Sequence, residues 1–179
     1  MSDIDREIAE LLIEQCRHRL FAESLPRLRK CLAQLSEEEV WFRPNAETVS
    51  VGNLVLHLCG NVGQWVVSAF GQQPDHRRRD EEFAERGPLS HVELERRLDS
   101  CMQEVAAVLD GLSAADLTKV FDVQGFRETG VSILVHVVEH FSYHVGQITY
   151  YVKSRKGIDL KYYGDIDLNR TRGNSTESK

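Results

Sequence analysis

His136, His140 and His144 recur every four residues in the stretch LVHVVEHFSYHVGQI. On an α-helix, residues four apart stack on one face. Two imidazoles at that spacing can close on a single metal ion, and neutral imidazole is the commonest side-chain ligand for such ions. The triplet therefore points to metal binding ahead of a merely polar helix face. Two local readings are open. His136-Val-Val-Glu139-His140 fits an H-x-x-E-H pattern, in which the two histidines bind zinc and Glu139 acts as general base. The other reading pairs His140 with His144 and takes a third ligand from another helix. His57 is the best candidate for that third ligand, because it lies at the edge of an apolar helical stripe.

The elements that must position these side chains read as mostly helical. Ser2 with Asp5 forms a capping box that opens an amphipathic stretch to about Leu35. Pro26 lies inside it, which predicts a kink or a restart capped by Ser24. Ser36 with Glu39 caps a short helix ending before Pro44. A second long helix spans 50–70, with Leu54, Val55, Leu58, Val62, Trp65 and Val66 on the 3.6-residue period and Asn61 on the same side as His57. Residues 71–89 read as a charged loop broken by Pro74 and Pro88. Ser90 with Glu93 starts a third helix to about Leu112, and Ser113 with Asp116 starts a short turn. KVFDVQGFRETG reads as a small hairpin around Gly125. A fourth long helix covers 131–155, with basic residues near its end and Gly157 just beyond.

Four long amphipathic helices imply an all-α fold, a four-helix bundle with short extra helices and one small extended segment. A length of 179 residues suits one domain, drawn here as 1–168, followed by a polar, disordered tail over 169–179. The net charge of −6 gives no basic face for nucleic acid. No apolar run approaches membrane-spanning length, and the acidic start is unlike a secretory signal. Cys16, Cys31, Cys59 and Cys101 are widely spaced without a CxxC, which predicts reduced, partly buried thiols in a cytoplasmic protein.

EHFSYHVGQI, with its His-x-x-x-His-x-Gly-Gln ending, resembles the helix motif of the DinB-like (damage-inducible, YfiT-type) superfamily. SVGNLVLHLCGNVGQW resembles that superfamily's second helix, which carries one histidine. GNVGQW with Arg77-x-Arg79-Asp80-x-Glu82-Phe83 resembles one bacterial branch of it. The resemblance covers the chain to about residue 165. It implies a four-helix bundle, often a homodimer, holding one divalent ion by His57, His140 and His144. Zinc or nickel leads, with iron as a further choice. His136 then falls one turn early, beside the site. Val145 stands where Arg often follows the last histidine, which removes an anion contact from that position.

Three neutral imidazoles with an open fourth position are the arrangement of catalytic zinc sites. The resemblance thus implies a metal-dependent enzyme whose nucleophile is a metal-bound water or thiolate. It would be a thiol S-transferase or hydrolase acting on a small molecule, with a low-molecular-weight thiol as partner, in detoxification or stress. The alternatives are a metal-binding protein without catalysis and a helical interaction protein. Glu139 and Gln147 are possible helpers, while Asn61 and Tyr143 are possible pocket residues. Trp65 and Phe141 read as core and Cys59 as buried packing. His18, His76 and His91 read as solvated, and the Arg77–Phe83 segment as an ordered lid or dimer contact.

Overall fold

A computed structural model describes residues 2–87, 89–164, 166–169 and 171. The expected disordered tail lies almost wholly outside these residues. Among the described residues the chain is mostly helical, with one two-stranded sheet. The first long rod runs through α1 (Asp3–Arg17), a wide π-helical segment at His18–Ser24 and α2 (Leu25–Leu32). Ser2 caps it through the expected box with Asp5. An α-helical segment restarts at Leu25 with Pro26 in its first turn, as expected, but the Ser24 side chain caps nothing. The Leu25 N–H reaches back five residues to the Leu20 carbonyl. That wider turn accommodates a residue that has no N–H to donate.

A short helix α3 (Glu37–Trp41) follows, capped by Ser36 and Glu39 as its sequence predicts. The second rod is α4 (Val51–Val62), a second π-helical segment at Gly63–Ser68 and a single turn α5 (Ala69–Gly71). Contrary to the sequence reading, this rod is long and apolar enough to cross a membrane by length and composition. Its setting argues otherwise: Asn53, His57 and Asn61 are buried on α4, and their polar atoms meet partners from other elements of the chain. The predicted loop 71–89 contains a helix, α6 (Arg79–Ala84), whose first turn is acidic, which suits a helix N-terminus.

The third rod is α7 (His91–Gly111), and α8 (Ala114–Thr118) follows with its capping box formed. The hairpin is β1 (Val120–Val123) against β2 (Phe126–Thr129), antiparallel, with Val123 opposite Phe126. Gln124 and Gly125 both take positive φ, the demand of a two-residue hairpin turn. α9 (Gly130–Lys156) begins at the Thr129 cap and stops at Gly157, whose φ is +62°.

Ile133, Leu134, Val137, Phe141, Val145, Ile148 and Val152 bury one stripe of α9 in the core, where α9 packs against α4, α2 and the His18–Ser24 segment. Each such side chain stabilises the fold by about 1.5–3 kcal/mol when fully buried. The stripe decides where the chemistry sits. His136, His140 and His144 each lie one residue from it, so they stand at the edge of the core, half-buried. All four cysteines are free. Cys16 and Cys31 are buried, while Cys59 and Cys101 are only partly so.

Candidate metal centre

α4 presents its own ladder at four-residue spacing: Asn53, His57 and Asn61. It runs antiparallel to the histidine ladder of α9. Asn61 Nδ2 lies 3.4 Å from His136 Nε2, and His57 Nε2 lies 3.1 Å from His140 Nε2. The His57 ring also meets the His144 ring edge-on, with centroids 4.9 Å apart. His57, His140 and His144 can each offer one nitrogen, and those nitrogens all lie within 4.8 Å of one another.

Hydrogen bonds set the tautomers of two of these rings. His57 Nδ1 lies 2.9 Å from Glu82 Oε2 on α6, so it donates to the carboxylate and leaves Nε2 bare. His144 Nδ1 lies 2.7 Å from Gln147 Oε1 and donates in the same way. Gln147 Nε2 in turn donates to the Tyr143 hydroxyl. Burial holds the His140 imidazole down to about 3, helped by the neighbouring histidines. Burial lowers His144 and His136 as well, against a raising hydrogen bond from Gln147 in the first case and the Glu139 charge in the second. The lowered values of His140 and His144 favour the neutral imidazoles that metal binding requires.

Two imidazole nitrogens facing each other at 3.1 Å share either one proton or one cation. Three imidazole ligands suit a borderline divalent ion such as zinc, nickel or iron. The residues present thus fit a metal ion. Asn61 Oδ1 and His140 Nδ1 are buried without a hydrogen-bond partner among the described residues.

Around this group the other predicted residues fall at different distances. His136 is outside the three-nitrogen cluster and stacks on Trp65 at 3.8 Å between ring centroids. Trp65 is buried and donates from Nε1 to Gln124 in the hairpin turn. Phe141 is fully buried core. Glu139 is exposed and is not brought to the cluster. Tyr143 is 62% exposed, so it covers the edge of His144 and does not line an interior pocket. Val145 is buried on the core face. His18 and His76 are exposed as expected, but His91 is half-buried against Glu95.

The sequence reading missed Glu82 and Arg77 as residues of the site. Arg77 Nε and Nη2 grip the two oxygens of Glu82 at 2.7 and 3.0 Å, and Nη1 donates to Gln64 Oε1 at 2.9 Å. Both side chains are buried, at 5% and 10% exposure. Burial pushes the Glu82 carboxyl up, yet the hydrogen bonds from His57 and Arg77 outweigh it and hold the group below its ordinary value. The R-x-R-D-x-E-F pattern was the available signal, read as lid or dimer contact. Phe83 of the same segment packs on the His57 ring at 4.8 Å.

Residues 7–164 match the profile of a protein family of unknown function, DUF1572. The chain belongs to the DUF1572 family. A crystal structure of a conserved protein from Enterococcus faecalis aligns with 85% of this DUF1572 chain and 97% of its own, at a TM-score of 0.59 and 18% identity. At that identity the likeness concerns the fold alone. No curated protein matches this DUF1572 member.

Proposed function

We propose that this chain binds one divalent metal ion through His57, His140 and His144 on a four-helix bundle of the DinB-like type. We further propose that it is a metal-dependent enzyme acting on a small molecule, with water or a low-molecular-weight thiol as nucleophile. The observation that carries the reading is the convergence of three imidazole nitrogens, from two helices, within 4.8 Å. An ion bound there keeps its full charge and lowers the pKa of a water or thiol toward neutrality. Glu82 and Gln147 orient two of the imidazoles. Four free thiols suit a cytoplasmic home. Ile4, Ile8 and Leu11 form an exposed apolar stripe on α1, which suits a homodimer.

Elemental analysis of untagged protein tests the ligand set. We expect about one metal per chain, lost in His57→Ala and His144→Ala and kept in His136→Ala. Loss in His136→Ala with retention in His144→Ala would restore the H-x-x-E-H reading. A wild type that carries no metal after metal-replete growth would refute the centre and leave a helical interaction protein. Thiol-transfer and hydrolysis assays on the loaded protein then test catalysis.

One observation favours a second reading, a metal-binding protein without catalysis. A groove of about 940 Å³ is lined by Arg77 and Glu82 but by none of the three histidines. On that reading, chelation costs stability and the loaded protein turns nothing over.

A further inference from the structure

We infer that Glu82, clamped by Arg77 and admitted by Gly60, is the positioning residue that fixes the His57 tautomer and aims its Nε2 lone pair at the centre. This rests on the metal-binding reading above and adds to it the residues that hold the ligand. Three separate features of the chain serve that one contact.

The first is the carboxylate itself. Glu82 Oε2 takes the His57 Nδ1 proton at 2.9 Å, which leaves Nε2 without a hydrogen and facing His140. Arg77 Nη2 lies 3.1 Å from the same Nδ1 and cannot accept that proton, because a guanidinium only donates. Nδ1 could accept from Arg77 only in the opposite tautomer, which would set two lone-pair atoms, Nδ1 and Glu82 Oε2, 2.9 Å apart; the carboxylate is therefore the acceptor for both donors. A carboxylate on the far nitrogen of a ligating histidine fixes ring orientation and raises ligand basicity.

The second feature is the room left for it. A Cβ built on Gly60 would stand 1.9 Å from Glu82 Oε1 and 2.8 Å from its Cδ. No residue with a side chain lets the carboxylate lie against α4 at that point. Gly60 is three residues after His57, one turn along the same helix, so the gap opens beside the ring it serves.

The third feature is the mooring of α6. Asn53 is fully buried, and its Nδ2 donates to the backbone carbonyls of Glu82 and Glu85, each at 2.9 Å. Asn53 is one turn before His57. A residue on the histidine's own helix thus fixes the backbone that delivers the carboxylate. Arg77 is fixed in turn by Gln64 and by Asp75 Oδ1, which accepts from its backbone N–H at 3.0 Å.

The test uses the full chain, with zinc as the probe and two readouts. The first is the ¹⁵N signature of the His57 imidazole in metal-free protein. We expect an Nδ1–H tautomer in the wild type and a mixed or reversed tautomer in Glu82→Gln. The second is zinc affinity by competition with a chelator. Glu82→Gln and Gly60→Ala are expected to weaken binding about 10–100-fold, with far-ultraviolet dichroism unchanged. Arg77→Lys, which keeps the charge and loses the fork, should fall between them and the wild type. A wild-type His57 protonated on Nε2, or zinc affinity within twofold of wild type in both folded variants, overturns the inference. The tautomer readout needs no metal. If the wild type shows Nδ1–H but binds no zinc, the metal reading fails while the positioning of His57 stands.

Discussion

Asn53→Ala is expected to damage the centre without touching a ligand. Asn53 Nδ2 makes two hydrogen bonds to α6, at 2.9 Å each, from a fully buried position. Its Oδ1 also accepts from the Ser50 N–H at 3.1 Å and hydroxyl at 2.8 Å, closing the cap of α4. Each lost hydrogen bond to α6 costs about 1 kcal/mol, and the opened cap costs about 1 kcal/mol more. The sum is about 3 kcal/mol, equal to a fall of roughly 6–12 °C in Tm for a domain of this size. Urea unfolding of metal-free protein measures it, and Trp41 is a suitable reporter, since it packs on Gly52 beside the cap. Zinc affinity should fall in parallel, because Glu82 loses its mooring. A loss below about 1 kcal/mol, or a full loss of stability with zinc affinity unchanged, would refute the claim that Asn53 holds the carboxylate in place.

Acid should destabilise the metal-free protein through His140. Its folded value of about 3 lies far below that of the unfolded chain, so the unfolded state holds more protons between the two and stability drops as pH falls. The slope is at most about 1.4 kcal/mol per pH unit, lessened by the ring's partial exposure, and His140→Gln should flatten it between pH 6.5 and 4.5. Glu39, Glu93 and Asp116, each held at about 2 by their cationic and capping partners, act in the same direction, but only below the ordinary carboxylate range. Gly130→Ala should cost about 1–3 kcal/mol in a denaturant titration, because its Cβ would stand 2.3 Å from the Asp116 carbonyl oxygen; a neutral outcome would mean that α8 and α9 do not approach so closely. Zinc at a hundredfold excess over its Kd should add about 2.7 kcal/mol to unfolding, an increment absent in His57→Ala. An equal increment in that variant would place the ion elsewhere.

Structure is legible in this sequence where the chemistry is local. Ser2 with Asp5, Ser36 with Glu39 and Ser113 with Asp116 form boxes, because both partners lie within four residues. The hairpin turns at Gly125 for the same reason, and the spacing of His140 and His144 fixed their common face. His57 could be brought to them because its helix has a readable core stripe. Glu82 could not be, since it stands 25 residues from His57 in a segment whose charge density reads as surface. Its burial depends on two opposite charges meeting around a ring from another helix, and on a glycine whose vacant Cβ position means nothing until the partner is known. The π-helical segment that leads into Pro26 is not legible either, because widening of a turn is a tertiary compromise.

The two wide helical turns, at His18–Ser24 and Gly63–Ser68, have a bearing on how this chain tolerates changes in length. A π-turn is an α-helix that carries a surplus residue. Removing one residue there lets the helix tighten to ordinary pitch while its two ends keep their positions and faces. Elsewhere in the same rods a deletion turns every later side chain by about 100° and would drag Leu28 and Leu32 out of the core. Gain and loss of single residues should therefore collect in these two segments. The one at Gly63–Ser68 lies just past His57, so the distal end of that rod can drift in length over time while the imidazole stays where it is.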